Sequence, residues 1–182
     1  EEVTVAKIEQ KVVHVKTAQK RAALEHLLRD ASLVRAIVFT RTKHGANKVA
    51  RQLNASGFVA EVIHGNKSQA ARQRALENFK SGDAGILVAT DIAARGIDIR
   101  AVSHVFNYEL PHEPESYVHR IGRTARAGAG GAAWALVDAS EVGRLKAVQR
   151  FTKQTLERIT LDVDLDAATQ QLTPAKPASK EE

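Results

Sequence analysis

Short apolar runs alternate along this chain with longer stretches in which apolar residues recur every three or four positions. The runs predict strands at residues 12–15, 36–39, 59–63, 86–89, 105–108 and 133–137. The periodic stretches predict helices at residues 22–28, 46–53, 69–79, 117–128 and 141–151. Strands that are apolar throughout and separated by helices predict a parallel sheet with helices on both faces.

The length and composition of the chain favour one domain. Its 182 residues, 43% of them hydrophobic, suffice for one compact core and are too few for two full domains. After about residue 165 the periodicity gives way to alanine, threonine, proline and lysine, a composition typical of a solvated linker. We therefore expect one domain over residues 1–165 and a disordered tail over residues 166–182. The sequence has no methionine, even at position 1, which indicates a fragment of a longer protein.

Charge and composition narrow the class of partner. The formal charge of +6 favours a polyanion, although charge alone does not separate nucleic acid from nucleotide or an anionic membrane. The chain has no cysteine and its seven histidines lack metal-binding spacing, so we expect no disulfide and no metal site. The sequence lacks a signal-like amino terminus and an apolar stretch of about eighteen residues, which predicts a cytoplasmic protein without a membrane partner.

The predicted helix at residues 117–128 carries an unusual set of cations. At about 100° per residue, His119, Arg123 and Arg126 would lie within roughly 60° of one another, opposite an apolar face. Few acidic residues precede them, so the arginines need an anion from elsewhere. Arginines three residues apart suit phosphate oxygens. Alternatively, this basic face is simply solvated, or its cations pair with acidic residues on a neighbouring helix.

Two further segments follow predicted strands, at the sheet edge where ligands bind in this class of fold. Thr90 or Asp91 can simply cap the next helical turn. Gly96 permits a bend and a close backbone approach, and Asp98 beyond it is a carboxylate suited to a ribose hydroxyl. The loop at residues 64–68 opens a helix, so its amides either contact backbone phosphate or form a plain capped turn.

Four segments, in this order, resemble the motifs of the second RecA-like domain of DEAD-box RNA helicases. They are Val38-Phe39-Thr40, His64-Gly65 with Gln69-Ala70-Ala71-Arg72, the segment 89–98, and His119-Arg120-Ile121-Gly122-Arg123-Thr124-Ala125-Arg126-Ala127-Gly128. Each motif is short, but four of them at predicted strand ends of one α/β domain are specific. The resemblance covers most of residues 3–153. Residues 41–47 and 64–69 further resemble the bacterial RhlE-like branch.

The resemblance implies a RecA-like fold and an ATP site shared with an N-terminal RecA-like domain of the same protein. Arg123 and Arg126 match the arginine fingers that reach the γ-phosphate in this family. Asp98 would contact the ribose, with Gly96 beside it. The N-terminal domain would hold most of the contacts to the Mg²⁺ of ATP.

The resemblance also implies an RNA track that is coupled to the ATP site through His119 and Arg120. The residues expected to line the RNA backbone are Thr40, Arg41, Gly65, Gln69, Arg72, Thr90, Asp91, Arg95 and Gly96. Phe39 matches a core position that organises the arginine segment and does not touch a ligand. Backbone amides, hydroxyls and arginines recognise RNA without reading bases. With five Phe, two Tyr and one Trp, the chain has few platforms for base stacking, in agreement with sequence-independent, local unwinding.

The chain departs from the family pattern in two respects. Glu109 stands where the family commonly has aspartate before Leu-Pro, and its longer side chain is expected to shift a coupling contact. The sequence also lacks a Gly-x-x-x-x-Gly-Lys-Ser/Thr loop, an Asp-Glu-Ala-Asp box and a Ser-Ala-Thr motif. We therefore expect that this polypeptide does not hydrolyse ATP by itself.

Two other functions fit the same residues. A non-catalytic RNA-binding module could use the arginine segment only to grip phosphate, and a related superfamily 2 helicase could act on DNA. Salt-dependent RNA binding is common to the first alternative and the helicase, so it does not separate them. If ATP hydrolysis depends on the arginines, the protein is a helicase and not a non-catalytic RNA-binding module. Comparing stimulation by RNA with stimulation by DNA identifies a DNA helicase.

Overall fold

A seven-stranded parallel sheet forms the centre of the structure, a computed structural model that describes residues 7–124 and 131–178. The strands are β1 Glu9–His14, β2 Ala36–Thr40, β3 Ala60–Ile63, β4 Ile86–Thr90, β5 His104–Asn107, β6 Ala132–Val137 and β7 Glu157–Arg158. Their order across the sheet is β3-β4-β2-β5-β6-β1-β7, and every neighbouring pair is parallel. The six predicted strands are confirmed to within three residues at either end.

Helices connect the strands in the predicted alternation. They are α1 Lys20–Leu28, α2 Lys43–Ala55, α3 Gln69–Ser81, α4 Asp91–Ala94, α5 Pro114–Ile121, α6 Val142–Thr152 and α7 Leu165–Gln170. Side-chain oxygens cap several amino termini, because Thr42 accepts from the Gly45 amide and Ser68 from the Ala71 amide. No helix among the described residues combines the length and apolar character needed to cross a bilayer.

Successive residues of each central strand face opposite sides of the sheet and enter two separate cores. Ile37 and Phe39 of β2 pack in one core with side chains of α3, α5 and α6, whereas Val38 packs in the other with side chains of α1 and α2. Both faces are therefore covered, which explains why the strands are apolar throughout. The predicted fold class, a parallel sheet with helices on both faces, is confirmed.

The crevice at the carboxyl ends of β2 and β5 is the point where the chain reverses its direction across the sheet. β2 and β5 are neighbours, but α2 leads from β2 towards one edge and α5 leads from β5 towards the other. Ligands of open α/β sheets bind outside the carboxyl ends of the strands at such a reversal. The loops that follow β2, β4 and β5 are thus the first place to look for a site.

The predicted helix at residues 117–128 is wrong for residues 122–124, and its last four residues lie outside the described residues. The Arg123 and Thr124 amides donate to the Arg120 and Ile121 carbonyl oxygens at 3.2 and 3.1 Å, which closes a tighter turn. The Thr124 hydroxyl then donates to the Val102 carbonyl oxygen at 2.6 Å and ties the chain to the segment before β5. Arg126 lies outside the described residues.

The prediction of a disordered tail from residue 166 is wrong for its first residues, since α7 occupies them. The Asp164 carboxylate caps this helix by accepting from the Ala167 amide, and Leu165 packs against the core under α1 and α2. The Gln19 amide donates to Asp166 at 2.8 Å, and the Arg21 guanidinium donates to the Thr173 carbonyl oxygen at 2.5 Å. Contacts with the short 3-10 helix Thr17–Gln19 and with α1 hold this segment, and sequence periodicity does not report such contacts.

Candidate functional site

The end of β4 turns directly into α4 at the carboxyl edge of the sheet. Thr90 is buried, and its hydroxyl accepts from the Ala93 amide at 3.4 Å. The capping alternative considered for Thr90 is therefore present in the structure. This leaves Asp91, the first residue of α4, free to direct its carboxylate to another element.

Asp91 and Arg120 form a bidentate ion pair between α4 and α5. The Arg120 Nε and Nη2 atoms donate to Asp91 Oδ1 and Oδ2 at 2.7 and 2.8 Å. Arg120 Nη1 donates to Asn107 Oδ1 at 3.2 Å and to the Glu109 carbonyl oxygen at 2.6 Å. Only 1% of Arg120 is exposed, and its guanidinium lies 5.2 Å from the centre of the buried Phe39 ring. Arg120 thus finds its anion inside the chain, and Phe39 is the core residue that supports it.

Arg123 has a different environment, because neutral carbonyl groups surround its guanidinium. Nη2 donates to the Ala94 carbonyl oxygen at 2.8 Å, and Nη1 donates to the carbonyl oxygen of Ile97. Gly96 between them has a φ of 78°, in the left-handed region that favours glycine, so the chain turns around the guanidinium. Burial lowers the pKa of Arg123, although a guanidinium remains protonated at neutral pH.

A cavity of about 290 Å³ brings several of the predicted residues together. Those that line it are Asp91, Arg95, Gly96, His119, Arg120 and Arg123, together with Phe39, Ala94 and Ser116. Asp98 is not among the lining residues and pairs with Arg100 at 2.8 Å, with both side chains about three-quarters exposed (76% and 77%). Three arginines, Arg95, Arg120 and Arg123, and the bend at Gly96 therefore border one cavity.

The remaining residues of the predicted RNA track follow the carboxyl ends of β2 and β3. Thr40 is fully buried and its hydroxyl donates to the Thr42 carbonyl oxygen, so its side chain does not face solvent. Gly65 and Gln69 are exposed. Arg72 is partly buried, and its Nη2 donates to the Ala93 carbonyl oxygen at 3.3 Å.

Arg41 lies at the reversal point between β2 and β5. Its Nη2 donates to Glu109 Oε2 at 3.3 Å, and its amide donates to Glu109 Oε1 at 3.1 Å. Its Nη1 lies 3.0 Å from His112 Nε2. The structure therefore places Arg41 beside the β5–α5 loop, away from the cavity that Arg123 lines.

Three polar residues organise these loops: the sequence singles out His64 and Glu109 without their partners, and it assigns no role to Asn107. His64 is buried, with Nε2 3.0 Å from Asn47 Oδ1 and Nδ1 accepting from the Asn66 amide, so it shapes the loop before α3. Asn107 is fully buried between Arg120 and the Trp134 carbonyl oxygen. Glu109 contacts both Arg41 and Arg120. A polar residue at the end of an apolar strand could have signalled these positions in the sequence. Such a residue tends to be buried, and a buried polar group needs a hydrogen-bond partner.

Within residues 7–124 and 131–178, no cluster of three or more His, Asp or Glu side chains is arranged to hold a metal ion. The cationic groups that line the cavity suit an anion instead. A phosphate group is the ligand whose charge and oxygen geometry match guanidinium donors best.

The comparisons with known proteins agree with this chemistry. The family model described as the helicase conserved C-terminal domain matches residues 19–128. A DEAD-box ATP-dependent RNA helicase CshA from Geobacillus kaustophilus is 48% identical over 168 residues, which cover 91% of this chain and 36% of that protein. The Bacillus subtilis protein of the same name is 45% identical over 172 residues, 93% of this chain and 35% of that protein. The chain thus spans about a third of the length of these curated relatives.

Solved structures give the same result for the fold. The C-terminal domain of the DEAD-box protein Dbp5 is similar with a TM-score of 0.79 and 32% identity, over 92% of this chain and 97% of that chain. A DEAD box protein from Methanococcus jannaschii is similar with a TM-score of 0.80 and 39% identity, over 85% of this chain and 42% of that chain.

These matches separate what is confirmed from what stays a prediction. The curated relatives carry the name CshA, so the RhlE-like branch is not confirmed. The RecA-like fold is confirmed by its likeness to DEAD-box structures. The family model covers more than half of the chain, and the chain matches nearly the whole of an isolated DEAD-box C-terminal domain. This chain belongs to the DEAD-box RNA helicase family and is the C-terminal RecA-like domain of such a protein.

Proposed function

We propose that this domain supplies arginine fingers to ATP hydrolysis and part of a sequence-independent RNA track in an ATP-dependent RNA helicase. The observation that carries the proposal is the environment of Arg123 beside the cavity that contains the Asp91–Arg120 pair. The Asp91 carboxylate balances the charge of Arg120 there, whereas the side-chain hydrogen bonds of Arg123 go to neutral carbonyl oxygens.

Arg123 is suited to exchange its partners for a phosphate. An anionic acceptor adds the attraction between opposite charges to the hydrogen bond, so a γ-phosphate would compete well with the neutral Ala94 and Ile97 carbonyl groups. The carbonyl contacts keep the guanidinium ordered until ATP arrives, which lowers the entropic cost of the contact. Arg126 would be the second finger, and Asp98 with Gly96 would meet the ribose.

Arg120 would act differently, because its donors are already used. It holds α5 to the start of α4 through Asp91, and Asp91 follows Thr90 in the predicted RNA track. A shift of α5 would therefore move Asp91 and the start of α4, which belong to the proposed RNA track, through the Asp91–Arg120 ion pair. His119, exposed on α5 and lining the same cavity, would meet the N-terminal domain.

The RNA track would follow the carboxyl ends of neighbouring strands β3, β4 and β2. Gly65, Gln69 and Arg72 come from the loop and helix after β3, Arg95 from the loop after β4, and Arg41 from the loop after β2. These groups suit phosphates and sugar hydroxyls, which carry no sequence information. The proposed result is local unwinding without base recognition.

The rest of the catalytic site would belong to the N-terminal RecA-like domain of the full-length protein. That domain would hold most of the contacts to ATP and its Mg²⁺, and this domain alone would not hydrolyse ATP. The length of the curated relatives, about three times that of this chain, supports a second domain in the intact protein. The cytoplasm is the expected location.

RNA-stimulated ATP hydrolysis by the full-length protein tests the proposal, with Arg123→Ala and Arg126→Ala beside the wild type. We expect each variant to lose turnover by a factor on the order of 10³ while folding and RNA binding are retained. Arg150→Ala, an exposed arginine at the end of α6, is the matched control and should hydrolyse ATP normally.

The same assay distinguishes the alternatives. Unchanged turnover in both finger variants would leave an RNA-binding module that only grips phosphate. Equal stimulation by DNA and RNA would instead favour a DNA helicase of superfamily 2.

A further inference from the structure

We propose that Glu109 is a positioning residue that holds Arg41 ready for an RNA phosphate and joins it to the Asp91–Arg120 pair. The inference rests on the proposed function, because it assigns a role within the RNA track. Glu109 stands at the reversal point of the sheet, where the carboxyl ends of β2 and β5 are neighbours.

The carboxylate of Glu109 accepts two hydrogen bonds from Arg41. One oxygen accepts from the Arg41 backbone amide at 3.1 Å and the other from its guanidinium at 3.3 Å. On the other side of the guanidinium, Nη1 lies 3.0 Å from His112 Nε2. Because arginine has only donors, this histidine nitrogen accepts. The backbone and side chain of Arg41 are thus fixed together by the β5–α5 loop.

This grip leaves Arg41 able to bind a further anion. The guanidinium has five N–H donors, and its contacts to Glu109 and His112 use only part of them. The side chain of Arg41 is 32% exposed and that of Glu109 is 25% exposed, so the pair lies at the surface. A flexible arginine loses side-chain entropy when it binds, and holding it beforehand removes part of that cost.

The backbone carbonyl group of Glu109 contacts a different arginine, Arg120. Its carbonyl oxygen accepts from Arg120 Nη1 at 2.6 Å, and Arg120 in turn holds Asp91. A single residue therefore connects the loop after β2 with the ion pair at the end of β4. Charges alternate along the connection from Arg41 through Glu109 and Arg120 to Asp91.

The loop on which Glu109 sits is anchored on both sides, so the connection is rigid. The Tyr108 carbonyl oxygen accepts from Lys20 Nζ at 2.8 Å, and the Leu110 amide donates to Glu141 Oε2 at 2.8 Å. Lys20 and Glu141 are buried and form an ion pair with each other. Because the backbone is held at Tyr108 and Leu110, the Glu109 side chain starts from a fixed position and can hold Arg41 in one orientation.

The length of the Glu109 side chain fits this role, because one carboxylate reaches both the amide and the guanidinium of Arg41. Aspartate, one methylene shorter, would keep the charge and lose part of this reach. Glutamine would keep the length and lose the charge. The two substitutions therefore distinguish the contribution of the Glu109 charge from that of the Glu109 side-chain length.

The test measures RNA-stimulated ATP hydrolysis by the full-length protein as a function of RNA concentration. The variants are Glu109→Gln, Glu109→Asp, Arg41→Ala and the double variant Glu109→Gln/Arg41→Ala. Glu113→Gln is the matched control, because Glu113 is exposed on the same loop and makes no side-chain cap.

We expect Glu109→Gln to raise the RNA concentration for half-maximal stimulation about fivefold, with turnover at saturating RNA within about twofold of the wild type. A variant that fails to fold would lose turnover at saturating RNA as well. A raised RNA requirement with retained turnover therefore indicates that Glu109 positions Arg41 and is not needed for folding. Glu109→Asp should fall between the wild type and Glu109→Gln. The double variant should be no weaker than Arg41→Ala alone, because Glu109 acts through Arg41.

Two results would overturn the inference while leaving the proposed function intact. In the first, Glu109→Gln behaves like the wild type although Arg41→Ala weakens RNA stimulation. In the second, Glu109→Gln lowers the RNA concentration required, which would make Glu109 a competitor of RNA for Arg41. A wild-type protein that RNA does not stimulate would contradict the proposed function itself.

Discussion

Arg120 and Arg123 lie one turn apart in the same segment, yet their surroundings differ in kind. Arg120 is buried against a carboxylate that takes two of its donors in bidentate geometry. Arg123 is partly buried against the backbone carbonyl groups of the loop after α4. The comparison shows that Arg120 is paired with a carboxylate within the fold, whereas Arg123 is bonded to neutral groups.

The difference arises from the acceptor. The partly exposed Asp91 carboxylate balances the charge of the buried Arg120, and removing either member leaves the other without its partner. Carbonyl groups satisfy the donors of Arg123 without cancelling its charge, so an incoming phosphate gains more from Arg123 than from Arg120. The first arginine should therefore matter most for stability and the second for turnover.

The largest expected effect on stability comes from replacing Arg120. Arg120→Met should lower the free energy of unfolding of this domain by about 3 kcal/mol, because it leaves Asp91, the buried Asn107 side chain and the Glu109 carbonyl oxygen without their donor. Arg123→Met should lower it by about 1.5 kcal/mol, the lower end of the range for hydrogen bonds with one charged partner, because the side chain is only partly buried. Urea denaturation of both variants measures the two values. Equal losses would remove the distinction between the two arginines.

A smaller effect is expected from Gly131→Ala, which tests whether the anchor after Arg123 matters. A Cβ at position 131 would lie 1.8 Å from Thr124 Oγ1, so Thr124 would have to move. We expect a loss of about 1–3 kcal/mol in unfolding free energy and reduced ATP turnover in the full-length protein. Gly143→Ala is the control, since its Cβ would meet nothing within 4 Å and the change favours helix α6. Wild-type behaviour of Gly131→Ala would show that this anchor does not position Arg123.

The smallest effect on stability is expected from Asp98→Asn. Asp98 forms an ion pair with Arg100 in which both side chains are exposed, and exposed pairs contribute little to stability. The unfolding midpoint should stay unchanged, whereas the ATP concentration for half-maximal turnover should rise several-fold if Asp98 meets the ribose. An unchanged ATP requirement would exclude Asp98 from the nucleotide site.

The sequence predicted the strands well because their signals are local. Six runs of apolar residues sit between breaks, and each became a strand of the sheet. The two-residue strand β7 was missed because its existence depends on pairing with β1, as in the hydrogen bond from the Ile159 amide to the Val12 carbonyl oxygen. Helix α7 was missed for the same reason, since its anchors lie near α1.

The candidate site was predictable in its location and less so in its contacts. The need of the arginines for an anion could be inferred from the sequence, but Asp91 lies 29 residues before Arg120 and only the sheet brings them together. The end of α5 depends on the bond from Thr124 to Val102, which local helix rules do not contain. Residues at strand ends can be nominated from sequence, whereas their partners depend on the neighbouring strands.

The most direct test of the account is the affinity of the full-length protein for ADP and for a non-hydrolysable ATP analogue, measured with saturating RNA. If Arg123 leaves the Ala94 and Ile97 carbonyl groups for the γ-phosphate, Arg123→Ala should bind the ATP analogue about 10- to 100-fold more weakly and ADP with wild-type affinity. Equal affinities of variant and wild type for the ATP analogue would contradict the account.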